Sequence, residues 1–147
     1  PPPSPPPRPP PPAPPSCAVI VYINWPSNSF PGLYSQPICD LQAQQLTLSY
    51  LDGIDFDTRF NCISVQETGM AWVSLLFTQE DAEQLRVNFL NRELAVSFMT
   101  QLAPGSCDAT FTLDPTSCDV DFVIWTSAIL NNPLCPPPPS PPTRPPP

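Results

Sequence analysis

Proline is the feature that most limits what this chain can fold into. Of its 27 prolines, 21 fall in residues 1–15 and 136–147, while Pro26, Pro31, Pro37, Pro104, Pro115 and Pro133 are spread through the interval between them. Proline lacks the backbone N–H that helices and sheet ladders require, and its ring fixes φ. Runs such as PPPSPPPRPPPPAPP and PPPPSPPTRPPP therefore build no packed core and default to the extended polyproline II helix. The chain divides accordingly. Residues 1–16 form a polyproline II rod or linker, 17–135 a single globular domain large enough for a core, and 136–147 a second rod.

Six cysteines mark out the middle segment: Cys17, Cys39, Cys62, Cys107, Cys118 and Cys135. The chain has no histidine and no CxxC spacing, so zinc ligation is disfavoured and three disulfides are expected. Disulfides persist outside the cytosol, and an extracellular location follows. There is no apolar run of membrane length. A chain of this kind that starts and stops within proline runs reads as a piece of a longer one.

Charge follows the same partition. All thirteen acids lie between Cys17 and Cys135, and against Arg59, Arg86 and Arg92 they leave that segment at −10. Arg8 and Arg144 give each proline run a charge of +1. An acidic domain repels nucleic acid and anionic membrane, so neither is an expected partner. The two proline runs also share a register: Ser4-Pro-Pro-Pro-Arg8-Pro-Pro-Pro matches Ser140-Pro-Pro-Thr143-Arg144-Pro-Pro-Pro at an offset of 136 residues. A fixed period predicts a tandem array in which the end of this chain begins the next repeat.

Within the domain, Ala18-Val-Ile-Val-Tyr-Ile-Asn-Trp25 is apolar and β-branched and predicts a strand. Ser35 followed by Pro37 and Asp40 predicts a helix over 35–51. Residues 60–67 and 70–77, around Thr68-Gly69, predict a hairpin. Thr78-Gln-Glu-Asp81 resembles a capping box. Leu85, Phe89, Val96 and Met99, with Leu90 and Leu94 beside them, predict one helix running to about Leu102, where Pro104-Gly105 stops it. Strands are expected over 109–113 and 119–125, joined by an Asp114-Pro115-Thr-Ser117 turn. The fold class is therefore α+β, with a ferredoxin-like βαββαβ order plus an extra C-terminal strand: one antiparallel sheet carrying two helices on one face. In that arrangement a Cys39–Cys62 disulfide ties the first helix to the second strand. The other four cysteines are left unassigned.

Catalytic chemistry has little to work with. Histidine and lysine are absent, which removes the commonest general base and the Schiff-base nucleophile, and no carboxylate pair is singled out. The chain is expected not to be an enzyme and to need no cofactor. Asp52, Asp55 and Asp57 gather three carboxylates in one loop, a weak calcium candidate that lacks the later glutamate of an EF-hand. Trp25, Trp72 and Trp125, with Tyr22, Phe30 and Tyr34, are read first as core and second as flat faces for a sugar ring or for proline. No Asn-x-Ser/Thr sequon is present, whereas serine and threonine among prolines are the composition of O-glycosylated stalks.

Taken together, these features resemble the pherophorins and related hydroxyproline-rich glycoproteins of volvocine green algae. The resemblance lies in the Pro-Pro-Ser-Pro-Pro-Pro-type rods, the Ser16-Cys17-Ala-Val-Ile-Val opening and the Cys39-Asp40-Leu41-Gln-Ala-Gln-Gln-Leu46 helix. Phe60-Asn-Cys62 and the late Cys107 also match. The opening lacks a second nearby cysteine, and the stretch from Cys118 to Cys135 departs from the family pattern. The resemblance implies a structural role in a cell wall, extracellular matrix or surface fibre, with neighbouring copies or related matrix glycoproteins as partners. It also implies hydroxylation and arabinose- or galactose-type glycans on the rods. Matched residue by residue, the candidates in the first rod are Pro1, Pro2, Pro3, Ser4, Pro5, Pro6, Pro7, Pro9, Pro10, Pro11, Pro12, Pro14 and Pro15. In the second they are Pro136, Pro137, Pro138, Pro139, Ser140, Pro141, Pro142, Thr143, Pro145, Pro146 and Pro147. The rival expectation is a carbohydrate-binding or adhesion module displayed on proline-rich stalks.

Overall fold

The structure, a computed structural model, describes residues 1–10, 17–26, 32–127 and 145. Residues 1–10 are exposed throughout and belong to neither helix nor strand. The domain is a mixed α+β fold: five strands in one antiparallel sheet, with three helices.

Strand β1 (Cys17–Asn24) sits at the centre of the sheet. Its buried side chains alternate as the β-branched pattern requires, with Val19, Val21 and Ile23 buried and Ala18, Ile20 and Tyr22 half-buried. On one side it pairs with β3 (Gly69–Leu76), which pairs in turn with β2 (Asn61–Gln66). On the other side it pairs with β4 (Thr110–Asp114), and beyond that lies the four-residue β5 (Val123–Thr126). The order is thus β2-β3-β1-β4-β5, with every pair antiparallel. A bulge at Ile63 shifts the β2–β3 register between Cys62 and Ser64. Gly69 opens β3 beneath the carbonyl oxygen of Ile23, where a Cβ would lie 2.6 Å from that oxygen, so no larger residue fits there.

Helix α1 (Gln36–Tyr50) begins where expected. The Ser35 hydroxyl accepts from the N–H of Ile38, and Pro37 occupies the first turn, where its missing N–H costs nothing. The stretch from Leu46 to Tyr50, which alternates like a strand in sequence, remains helical. Cys39, Ala43, Leu46 and Tyr50 form a buried stripe at helical spacing, and Leu48 points to solvent at 75 % exposure.

The long second helix expected up to Leu102 is two helices, α2 (Gln79–Phe89) and α3 (Arg92–Leu102). Thr78 caps α2 through the N–H of Asp81, and Asn91 caps α3 through the N–H of Leu94. The physical cause is a change of phase. Ala82, Leu85 and Phe89 face inward on α2, but continuing their spacing would bury Arg92 and Glu93. The break at Leu90–Asn91 resets the stripe to Ala95, Phe98, Met99 and Leu102. Leu90 is left exposed and Val96 half-buried.

The strand boundaries also differ from expectation, the first three running 17–24, 61–66 and 69–76 rather than 18–25, 60–67 and 70–77. The fourth strand is shifted by one residue, to 110–114. The fifth starts only at Val123, because β4 offers partners no further than Leu113 and residues 119–122 have none to pair with.

All three helices pack on the same face of the sheet. Tyr50 of α1, Phe89 of α2 and Phe98 of α3 converge on Phe111 of β4, with ring centroids 6.0, 4.8 and 5.3 Å away. Trp72 and Phe111 share this face, since both register with inward residues of β1.

Two disulfides join described cysteines. Cys39–Cys62 links α1 to β2 as expected, with Cα atoms 5.7 Å apart. Cys17–Cys118 links the start of β1 to the turn after β4. Cys107 is also disulfide-bonded, and Cys135 lies outside the described residues.

Candidate functional site

The most heavily braced feature at the border of the core is the junction at which the first proline run meets the domain. That run leads to Cys17, the first residue of the central strand, whose side chain is bonded to Cys118. The turn at 114–118 grips the adjoining residue of β1. The Ser117 hydroxyl accepts from the Ala18 N–H at 2.9 Å, and the Thr116 hydroxyl donates to the Ala18 carbonyl at 2.5 Å. The Ser117 N–H donates to the same carbonyl at 3.4 Å.

The turn is itself held in shape. Asp114 Oδ1 accepts from the Thr116 N–H at 3.0 Å, and the Cys118 N–H donates to the Pro115 carbonyl at 2.6 Å. Thr116 has φ of 31°, the one non-glycine among the described residues at positive φ. A threonine in that region is strained, and here the strained backbone aims two hydroxyls at one residue of β1. The Asp-Pro-Thr-Ser turn was legible in the sequence. Its use as a clamp on β1, and the Cys17–Cys118 pairing, were not.

The aromatic candidates divide. Trp25, Trp72 and Tyr34 are buried, and burial pushes the Tyr34 phenol well above the usual tyrosine range. Trp125 is half-buried and its indole N–H donates to the Phe89 carbonyl, while Tyr22 lies half-buried on the sheet face away from the helices. Phe30 lies outside the described residues. The tryptophans thus fill or border the core and present no common platform.

An exposed aromatic that sequence reading had passed over is Phe56, 87 % exposed. It borders a groove of about 560 Å³ beside α1, with Asp40, Gln44, Leu48, Arg59 and Asn61 around it. No periodic signal marks Phe56, because it belongs to an irregular loop.

Asp52, Asp55 and Asp57 occupy that same irregular segment but are not drawn into a metal cluster. Asp55 Oδ1 accepts from the Asp57 N–H in a local turn, and the Asp52 carbonyl accepts from the Asn88 side chain. No group of three His, Cys, Asp or Glu side chains suited to a metal is gathered among the described residues.

Of the modification candidates, Ser4 and the prolines within residues 1–10 are exposed, as is Pro145. Pro11, Pro12, Pro14, Pro15, Pro136–139, Ser140, Pro141, Pro142, Thr143, Pro146 and Pro147 lie outside the described residues.

The disulfides fit a chain made for an oxidising compartment. None of the described helices is long and apolar enough to cross a membrane. Comparison with family models, with curated proteins and with solved structures finds no match to this chain.

Proposed function

We propose that the chain is a non-catalytic structural unit of an extracellular hydroxyproline-rich glycoprotein, a disulfide-bonded joint between O-glycosylated polyproline II rods. It serves in a cell wall, matrix or surface fibre, where units assemble head to tail with copies of themselves or with related glycoproteins. The observation that carries this reading is the junction. An exposed ten-residue stretch with eight prolines stands six residues ahead of a core whose first residue, Cys17, is locked by a disulfide and whose second, Ala18, has its amide and carbonyl groups clamped by Ser117 and Thr116. Such a construction suits a domain that must hold its rods at a fixed place. The exposure of Ser4 and its neighbouring prolines leaves them open to hydroxylating and glycosylating enzymes.

A fifteen-residue rod spans about 47 Å, longer than a small domain is wide, so a rod can reach a neighbouring unit. Contact between a cationic rod and an acidic domain is modestly favourable at an exposed surface. The sheet order supports a ferredoxin-like reading, with β2-β3-β1-β4 as the split βαβ arrangement and β5 added beside β4.

Glycopeptide mass spectrometry on native material tests the proposal. Hydroxyproline carrying pentose or hexose chains on the rods is the expected result, and bare prolines on both rods would defeat it. A second reading, a carbohydrate-binding or adhesion module on stalks, is favoured by one observation: Phe56 stands beside Asp40, Gln44 and Asn61, a flat ring next to hydrogen-bonding side chains. Selective glycan-array binding that is lost in Phe56→Ala would favour it.

A further inference from the structure

We infer that the Cys17–Cys118 disulfide makes the domain a nearly inextensible link, carrying tension between its two proline-rich ends past almost the whole of the fold. The inference deepens the structural reading above, since it supposes that the rods are pulled.

The covalent path decides the matter. Tension arriving along the first proline run reaches Cys17, the first residue of β1. There the chain branches: one route follows the backbone through residues 18–117, and the other crosses the disulfide directly to Cys118, 101 positions along the sequence. The second route is shorter by nearly the whole domain. Cys107 is itself disulfide-bonded, to none of these four cysteines, so the loop that lies off the load path is residues 18–106, with three helices, the first three strands and the Cys39–Cys62 bridge. No pull on the ends can draw that loop out while the disulfide stands.

What remains on the load path is the short chain on either side of Cys118: residues 107–117, which include β4, and the segment from Cys118 through β5. Its geometry also resists extension. In the sheet register, Asn24 lies beside Thr110 and Thr110 beside Thr126, so β5 ends level with the far end of β1. Cys17 lies at the opposite end, seven residues away, about 24 Å at the rise of a strand. The line from Cys17 to the end of β5 thus runs along the strands, and tension between those two points loads the hydrogen bonds between β5 and β4 together rather than one after another. The four residues of β5 are already extended and can yield little length.

The branch point is protected chemically as well. Cys17 and Cys118 are 7 % and 9 % exposed, which limits the access of reducing thiols to the sulfurs. The Thr116 and Ser117 bonds to Ala18 hold the turn against the strand at the same place. Cys39–Cys62, by contrast, lies wholly inside the sequestered loop and bears no axial load.

Single-molecule force extension on the full chain, held by handles fused beyond both proline runs, reads this directly. Counting every residue from Cys118 to Cys135, the oxidised domain can lengthen by no more than about 60 Å. Reductant added to the same tethered molecules should convert this into release of more than about 200 Å. The Cys17→Ser/Cys118→Ser variant should show the long release without reductant. Because that variant could fail to fold, the wild-type molecule measured before and after reduction is the deciding comparison. A long release from oxidised wild-type protein would overturn the inference. So would a short release that reduction leaves unchanged, because the disulfide would then not be what limits extension. Neither outcome depends on whether the rods carry glycans, so the structural glycoprotein reading stands or falls separately by mass spectrometry.

Discussion

The indole N–H of Trp72 donates to the carbonyl of Cys39 at 2.9 Å, joining the middle of β3 to helix α1 directly beneath the Cys39–Cys62 bridge. Trp72 is fully buried, stands opposite Cys62 in the sheet register, and meets Phe98 edge-on at 6.4 Å. One side chain thus contacts the first helix, the bridged strand and the third helix. Replacing Trp72 with phenylalanine removes the donor and leaves a void. We expect a loss of about 2–3 kcal/mol, measured as a lower urea midpoint with an unchanged denaturant slope.

The bridge above that indole closes a loop with a sequence separation of 23. Chain-entropy reasoning assigns a loop of that size about 3 kcal/mol. The Cys39→Ala/Cys62→Ala variant should therefore fold with a lower melting temperature and keep the Cys17–Cys118 bond, which disulfide mapping by mass spectrometry checks. Failure to lower the melting temperature would mean that the bridge holds nothing that packing around Trp72 does not already hold.

Tyr50 is buried among Phe89, Phe98 and Phe111, and its hydroxyl has no hydrogen-bond partner among the described residues. Removing an unsatisfied buried polar atom should stabilise, so Tyr50→Phe is expected to gain about 1 kcal/mol at neutral pH. Burial also pushes the Tyr50 phenol, like that of Tyr34, well above its ordinary value. The unfolded chain ionises these phenols near pH 10 while the folded chain keeps them protonated, so their contribution is intact below about pH 10 and declines as pH rises beyond it. Chemical denaturation across alkaline pH should show that decline, and Tyr50→Phe should lessen it while leaving the part due to Tyr34.

Asn91 separates α2 from α3 by accepting from the Leu94 N–H at 3.3 Å. Asn91→Ala should cost about 1 kcal/mol, and Asn91→Asp, which keeps the capping oxygen, should cost far less. A thermal melt of the two variants distinguishes a capped break from one imposed by packing alone, for which both substitutions would be neutral.

What could be read in the sequence followed from local chemistry. The β-branched run after Cys17 pairs on both sides as a central strand, Ser35 and Pro37 start α1, Thr78 starts α2, and Asp114-Pro115 turns the chain. Cys39 and Cys62 could be paired because they sit on elements that had to touch. The break at Leu90–Asn91 was hidden because Leu90, Leu94 and Val96 keep the hydrophobic spacing plausible across it. Only the need to keep Arg92 and Glu93 out of the core reveals the change of phase. The late start of β5 was hidden because alternation at Val120 and Phe122 says nothing about where β4 stops offering partners. The Cys17–Cys118 clamp joins residues a hundred positions apart, and no local pattern specifies it.

In the head-to-tail assembly proposed above, the bulge at Ile63 and the brevity of β5 have a further consequence. β2 and β5 are the two outermost strands of the sheet, each with a row of peptide groups that another chain could extend. A kinked strand on one border and a four-residue strand on the other, approached through Asp119 and Asp121, give a foreign strand little to template on. Crowded domains of this kind can then meet through side chains or rods without fusing their sheets into amyloid.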